Sequence, residues 1–173
     1  DGALFFLYNS NIMAESHPLP IHIVRIKKLK SLLAIIKNSV KNDSYMFRNL
    51  YADKDGEEVD ILENGIVSCA AFVSAVLLNL ELIKKPHATV SGMEKDLIES
   101  GWHEIHENKP GAVVIWEKVM FDDKKEHRHL GFCTSADEAI SNSASEGFPR
   151  RHHITYNNSR KIEKILWHPD LDK

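Results

Sequence analysis

The apolar residues of this chain change their spacing once, near Gly111, and that change limits what it can fold into. Before it they recur at intervals of three and four; after it they alternate in short runs. The first period buries one stripe of a helix, the second one face of a strand. Ile26, Leu29, Leu33, Ile36 and Val40, with lysines between them, predict an amphipathic helix within residues 21–40. Its first turn is open to two readings, because Ile21 and Ile23 also alternate as in a strand. A second helix is predicted from Cys69 to about Ile83, capped by Ser68, with Phe72, Val73, Val76, Leu77 and Leu80 facing inward. Ser91 and Glu94 read as a capping box for a third helix ending at Gly101. Beyond that lie GAVVIWEKV, HLGFCTS, EAISNS, HHITY and KIEKILW, short runs separated by polar turns. Helices first and strands second predict an α+β domain, helices packed on a five- to six-stranded antiparallel sheet.

With 173 residues, 43% of them hydrophobic, the chain can bury one core. Residues 1–43 read as an extension and amphipathic helix packed on a core formed by 44–173, a single domain overall. Residues 41–67 (KNDS, DKDGEE, ENG) read as a loop with short helical pieces around Tyr45–Tyr51. A net charge of −3 gives no basic face for nucleic acid, and Arg25, Lys27, Lys28 and Lys30 read as a solvated helix face. The run ALFFLY is too short to span a bilayer and reads as a packing strand in a soluble protein. Its compartment, cytoplasmic or exported, is not readable from the chain. Two cysteines, Cys69 and Cys133, do not make a disulfide framework at this size.

Cys69 carries the chemical signal. It follows a cap and opens an apolar helix, where unpaired backbone N–H groups and the helix dipole favour a thiolate. Sixty residues on, His129 opens a strand-like run. A cysteine on a helix start and a histidine on a strand are what nucleophilic thiol chemistry needs. A lone cysteine in an apolar helix is ordinarily an inert core residue, and Cys133 is read that way. The adjacent His152 and His153 would point to opposite faces of a strand, and no histidine pair has metal-ligand spacing, so no metal site is predicted.

The order of these pieces resembles the NlpC family of papain-like cysteine peptidases. SCAAFVSAVL resembles the family's Asp-Cys-Ser-Gly-Phe helix start, KPGAVVIWE its Lys-Pro-Gly-Asp-Leu-Val-Phe-Trp strand entry, and HLGF its His-Val-Gly-Ile; together they cover roughly residues 60–145. Ser68 stands where the family has Asp, Ala70-Ala71 where it has Ser-Gly, and Ser141 where counting from His129 places its third polar residue.

The resemblance implies a papain-like fold and a hydrolase, peptidase or amidase, that cleaves a peptide-like amide such as those of peptidoglycan without a cofactor. Cys69 would be the nucleophile and His129 the base. Asn142 is the first choice to orient His129, as in Cys-His-Asn enzymes, with Ser141 and His153 as alternatives. Ser68 and Trp116 are expected around the oxyanion site and cleft. Arg151 and His152 are expected to meet an acidic substrate group. The altered residues around Cys69 motivate a second reading, an inactive binding or regulatory module; an acyltransferase using the same pair is a third.

Overall fold

The alternating runs after Gly111 form a six-stranded antiparallel sheet in the computed structural model, which describes residues 24–120, 124 and 126–173. In chain order its strands are β3 (His103–Glu104), β4 (Val113–Met120), β5 (Glu126–Cys133), β6 (Glu138–Ser143), β7 (Phe148–His153) and β8 (Ile162–Trp167). They lie in the order β3-β8-β4-β5-β6-β7, so β4 and β5 are central and β7 is an edge. An outer position suits β7, because Pro149 lacks an N–H to give a further neighbour. The strand expected at HHITY is therefore shifted: pairing uses Phe148–His153, and the chain turns away at Tyr156, Asn157 and Asn158, all with left-handed φ.

Three helices precede the sheet among the described residues, giving an α+β protein: α1 (Lys28–Ser39), α2 (Cys69–Leu78) and α3 (Val90–Glu99). The ALFFLY run and Ile21–Ile23 lie outside the described residues. Helix α1 packs through Leu32 and Ile36, with Leu29, Ile35 and Val40 beside them; Ile26 is exposed, so the buried stripe is rotated from the predicted one and takes in Leu32. Helix α2 is buried on most sides and lies on β5 and β6, where Phe72 meets Phe132 edge-on at 5.6 Å. It stops at Leu78, short of Ile83, because Glu81 adopts φ 54° and turns Leu82 and Ile83 back into the core.

Helix α3 is capped by Thr89, whose side chain accepts from the Gly92 amide at 3.2 Å, and not by the expected Ser91–Glu94 box. Glu94 faces the sheet instead, where it accepts from Arg128 (2.5 Å) and Lys164 (2.7 Å). These charge-assisted bonds bind α3 to β5 and β8.

The loop expected over 41–67 contains a hairpin, β1 (Tyr51–Lys54) and β2 (Glu57–Asp60), turning at Asp55-Gly56. Both turn residues have positive φ, 58° and 87°, as a two-residue hairpin turn requires. Among the described residues no helix is long and apolar enough to cross a membrane.

Strand β5 runs so close to β6 that a Cβ on Gly131 would lie 2.5 Å from Ile140 O and 2.6 Å from Ser141 Cβ. Gly131→Ala must push the two strands apart and is expected to cost about 1–3 kcal/mol, read as a lowered urea midpoint with an unchanged slope. A midpoint equal to that of the parent would contradict this spacing.

Candidate active site

The turn that feeds α2 is anchored from two sides. Asp60, ending β2, accepts from the amides of Leu50 (2.9 Å), Leu62 (3.1 Å) and Asn64 (2.8 Å) and from Asn49 Nδ2 (2.7 Å). The Leu50 amide leads the donors that hold this carboxyl down to about 2. Downstream, Gly65 O accepts from Ser68 Oγ at 3.0 Å and from Asn142 Nδ2 of β6 at 2.9 Å. Gly65 itself (φ +94°) approaches Gly147 so closely that an added Cβ would sit 2.5 Å from Gly147 Cα. The start of α2 is thereby tied to the sheet.

Cys69, free and half-buried, stands on this first turn, near enough to β5 for the Leu130 amide to favour its anion. Cys69 and His129 line one cavity of about 430 Å³, with Ile66, Val67, Thr89 and Arg128 around them. His129 is only 8% exposed. Its Nε2 meets Ser141 Oγ at 2.8 Å, and its Nδ1 makes no hydrogen bond among the described residues. The ring rests on Trp116, with centroids 5.5 Å apart. A second cavity, of about 920 Å³, shares His129, Ile66, Val67 and His127 with the first and extends past Ser141, His152 and Tyr156 to Arg48, Arg150, Arg151 and Arg160.

Burial pushes the Cys69 thiol up, against the amides of Leu130 and Ala70 and the positive charge of Arg160, which favour its anion. The helix start alone therefore does not make a resting thiolate. Burial also pushes His129 down to about 3, helped by Arg160 and His152. Both groups are neutral at pH 7, a thiol and an imidazole on the wall of one cavity. Cys133 is buried, donates to Ser135 O at 2.9 Å, and is pushed up to about 11 by burial.

Several expected residues do different work. Asn142 does not orient His129; its amide is spent on Gly65 O, because strand alternation sends it the other way from Ser141. Ser141 takes that contact. His153 is also elsewhere, with Nδ1 2.9 Å from Thr155 Oγ1. Ser68 is buried and its hydroxyl is turned to Gly65 O, away from both cavities. Trp116 is fully buried, backs His129 instead of lining the cleft, and donates to Ile154 O at 2.6 Å. Arg151 lines the larger cavity but is paired with Glu138. His152 is engaged by Ser141 at 2.8 Å and stacked on Tyr156 at 4.0 Å.

Tyr156 and Arg160 were not expected here. Arg160 is buried and donates to Glu117 O through Nε (3.1 Å) and Nη2 (3.0 Å), and to His127 O (2.7 Å). Tyr156 ends the run HHITY, expected as a strand, and Arg160 follows in the polar stretch before KIEKILW. Among the described residues no group of three or more His, Cys, Asp or Glu could hold a metal ion.

Compared with the profiles of known protein families and with curated proteins, the chain matches none.

The buried imidazole makes a prediction about stability. His129 binds a proton more weakly folded than unfolded, so the unfolded chain holds more protons between pH 6.5 and about 3. Stability is full above that window and falls as pH drops through it; His152 shifts in the same direction. His129→Gln should flatten the slope of unfolding free energy against pH in the middle of that window by up to about 1.4 kcal/mol per pH unit. Urea titrations at a series of pH values read this, and an unchanged slope would contradict it.

Proposed function

We propose that this chain is a thiol-dependent hydrolase, a peptidase or amidase on a papain-like fold of the NlpC type, cleaving a peptide-like amide through an acyl-enzyme on Cys69. The observation that carries the reading is that Cys69, on the first turn of a helix, and His129, on the neighbouring strand, open on one cavity while the second ring nitrogen of His129 is held by Ser141. The order of elements supports it too, a helix led by cysteine followed by an antiparallel sheet whose central strand carries the histidine.

In this mechanism His129 Nδ1 takes the thiol proton as the sulfur attacks the carbonyl carbon. Because burial keeps both groups neutral at rest, proton transfer accompanies attack and does not precede it. Backbone N–H groups at the start of α2 hold the oxyanion. His129 then protonates the leaving amine, and water, deprotonated by the same ring, hydrolyses the thioester. Arg48, which lines the larger cavity and whose guanidinium is hydrogen-bonded, among the described residues, only to the neutral Asn64 side chain, suits a carboxylate on the substrate, as in the stem peptides of peptidoglycan.

The raised Cys69 pKa favours a second reading, a binding or regulatory module without turnover. Incubation with purified peptidoglycan and with a mixed pool of peptide amides separates the two. The hydrolase is expected to release new amines and to leave a thioester on Cys69 detectable by mass after acid quench. Both signals should vanish in Cys69→Ala. A folded parent protein that gives neither overturns the hydrolase and leaves the binding module.

A further inference from the structure

Three groups meet at one hydroxyl. Ser141 Oγ lies 2.8 Å from His129 Nε2, 2.8 Å from His152 Nε2 and 3.0 Å from Tyr156 Oη. A serine hydroxyl has one hydrogen to give and two lone pairs to accept with. One of the three contacts must therefore receive the Ser141 proton, and the other two must donate to it.

The other side of His152 decides which. Its Nδ1 lies 2.9 Å from His153 O, a carbonyl oxygen that can only accept, so Nδ1 carries a proton. Burial lowers the His152 pKa, so the ring is neutral at pH 7 and its Nε2 is bare. The Ser141 hydrogen then goes to His152 Nε2. Its lone pairs are left for the Tyr156 hydroxyl and for His129, which must present Nε2–H. Burial also pushes Tyr156 up and keeps that phenol protonated, able to donate.

We propose that His152 is a positioning residue which, through Ser141, fixes His129 in the Nε2–H form and leaves Nδ1 as the bare nitrogen. A peptide carbonyl in β7 thus sets the protonation of a ring in β5, three hydrogen bonds away. Trp116 holds the geometry: its indole lies 5.5 Å from the rings of both His129 and His152 and 5.6 Å from that of Tyr156. The use of Nδ1 as base toward Cys69 rests on the hydrolase reading; the hydrogen-bond order itself does not.

Long-range proton–nitrogen correlation spectra of protein labelled with ¹⁵N-histidine read each ring's tautomer at pH 7. The expected result is Nε2–H for His129 and Nδ1–H for His152. The second assignment is the discriminating one, because histidine free in water favours Nε2–H. His152→Phe keeps an aromatic ring against Tyr156 but removes the acceptor, and should populate the Nδ1–H form of His129. His152→Gln restores an acceptor for Ser141 and should return His129 to the Nε2–H form. His152 found as Nδ1-bare in the parent protein, or a His129 signal identical in the parent and His152→Phe, would overturn the proposal. The parent spectrum is informative even if a variant fails to fold. If Cys69 proves inert while these tautomers hold, the hydrolase reading fails and this one stands.

Discussion

The packing of α2 against β5, where the Leu130 amide favours the Cys69 anion, is the constraint on which the site depends. It joins the first turn of α2 to the strand that carries His129, one residue away in sequence. Strands β5 and β6 pair only near Phe132 and Cys133, so the ladder between them stops short of Leu130. Everything that fixes the turn before Cys69, from Asp60 to the Asn142–Gly65 bond, keeps that placement.

The electrostatics follow from the same burial. Taking a thiol and an imidazole out of water penalises the charged form of each, so the resting pair is neutral. Arg160 adds an asymmetry, since its charge opposes an imidazolium and favours a thiolate. In the proposed hydrolase, charge would appear only when an acyl group is there to receive the sulfur's electrons. This differs from a pre-formed thiolate–imidazolium pair, and it follows from the desolvation of both groups.

The change of period near Gly111 made the α+β class legible, because strand alternation and helix stripes are local properties that the tertiary structure kept. The candidate pair was legible on local signals that the fold only partly keeps: Cys69 opens α2, but Ser68 makes no side-chain cap there, and His129 lies inside β5 and does not head it. The hairpin over Tyr51–Asp60 escaped because its charged residues bury neither face, although Asp55-Gly56 is a hairpin turn signal. The choice between Ser141 and Asn142 turned on which face of β6 meets the site. Counting favoured Ser141 and chemistry favoured Asn142; the anchor on Gly65, 77 residues away, decided it and leaves no mark in local sequence. Arg160 and Tyr156 were invisible for the same reason, since only the folded sheet brings their turn beside His129.

The rate at which iodoacetamide alkylates Cys69 near neutral pH, in the parent protein and in a folded His129→Gln variant, tests the central pairing most directly. The account predicts that Cys69 reacts faster than the buried Cys133, and that losing the imidazole slows Cys69 by at least about tenfold. Equal rates at the two cysteines, or a Cys69 rate indifferent to His129, would contradict it.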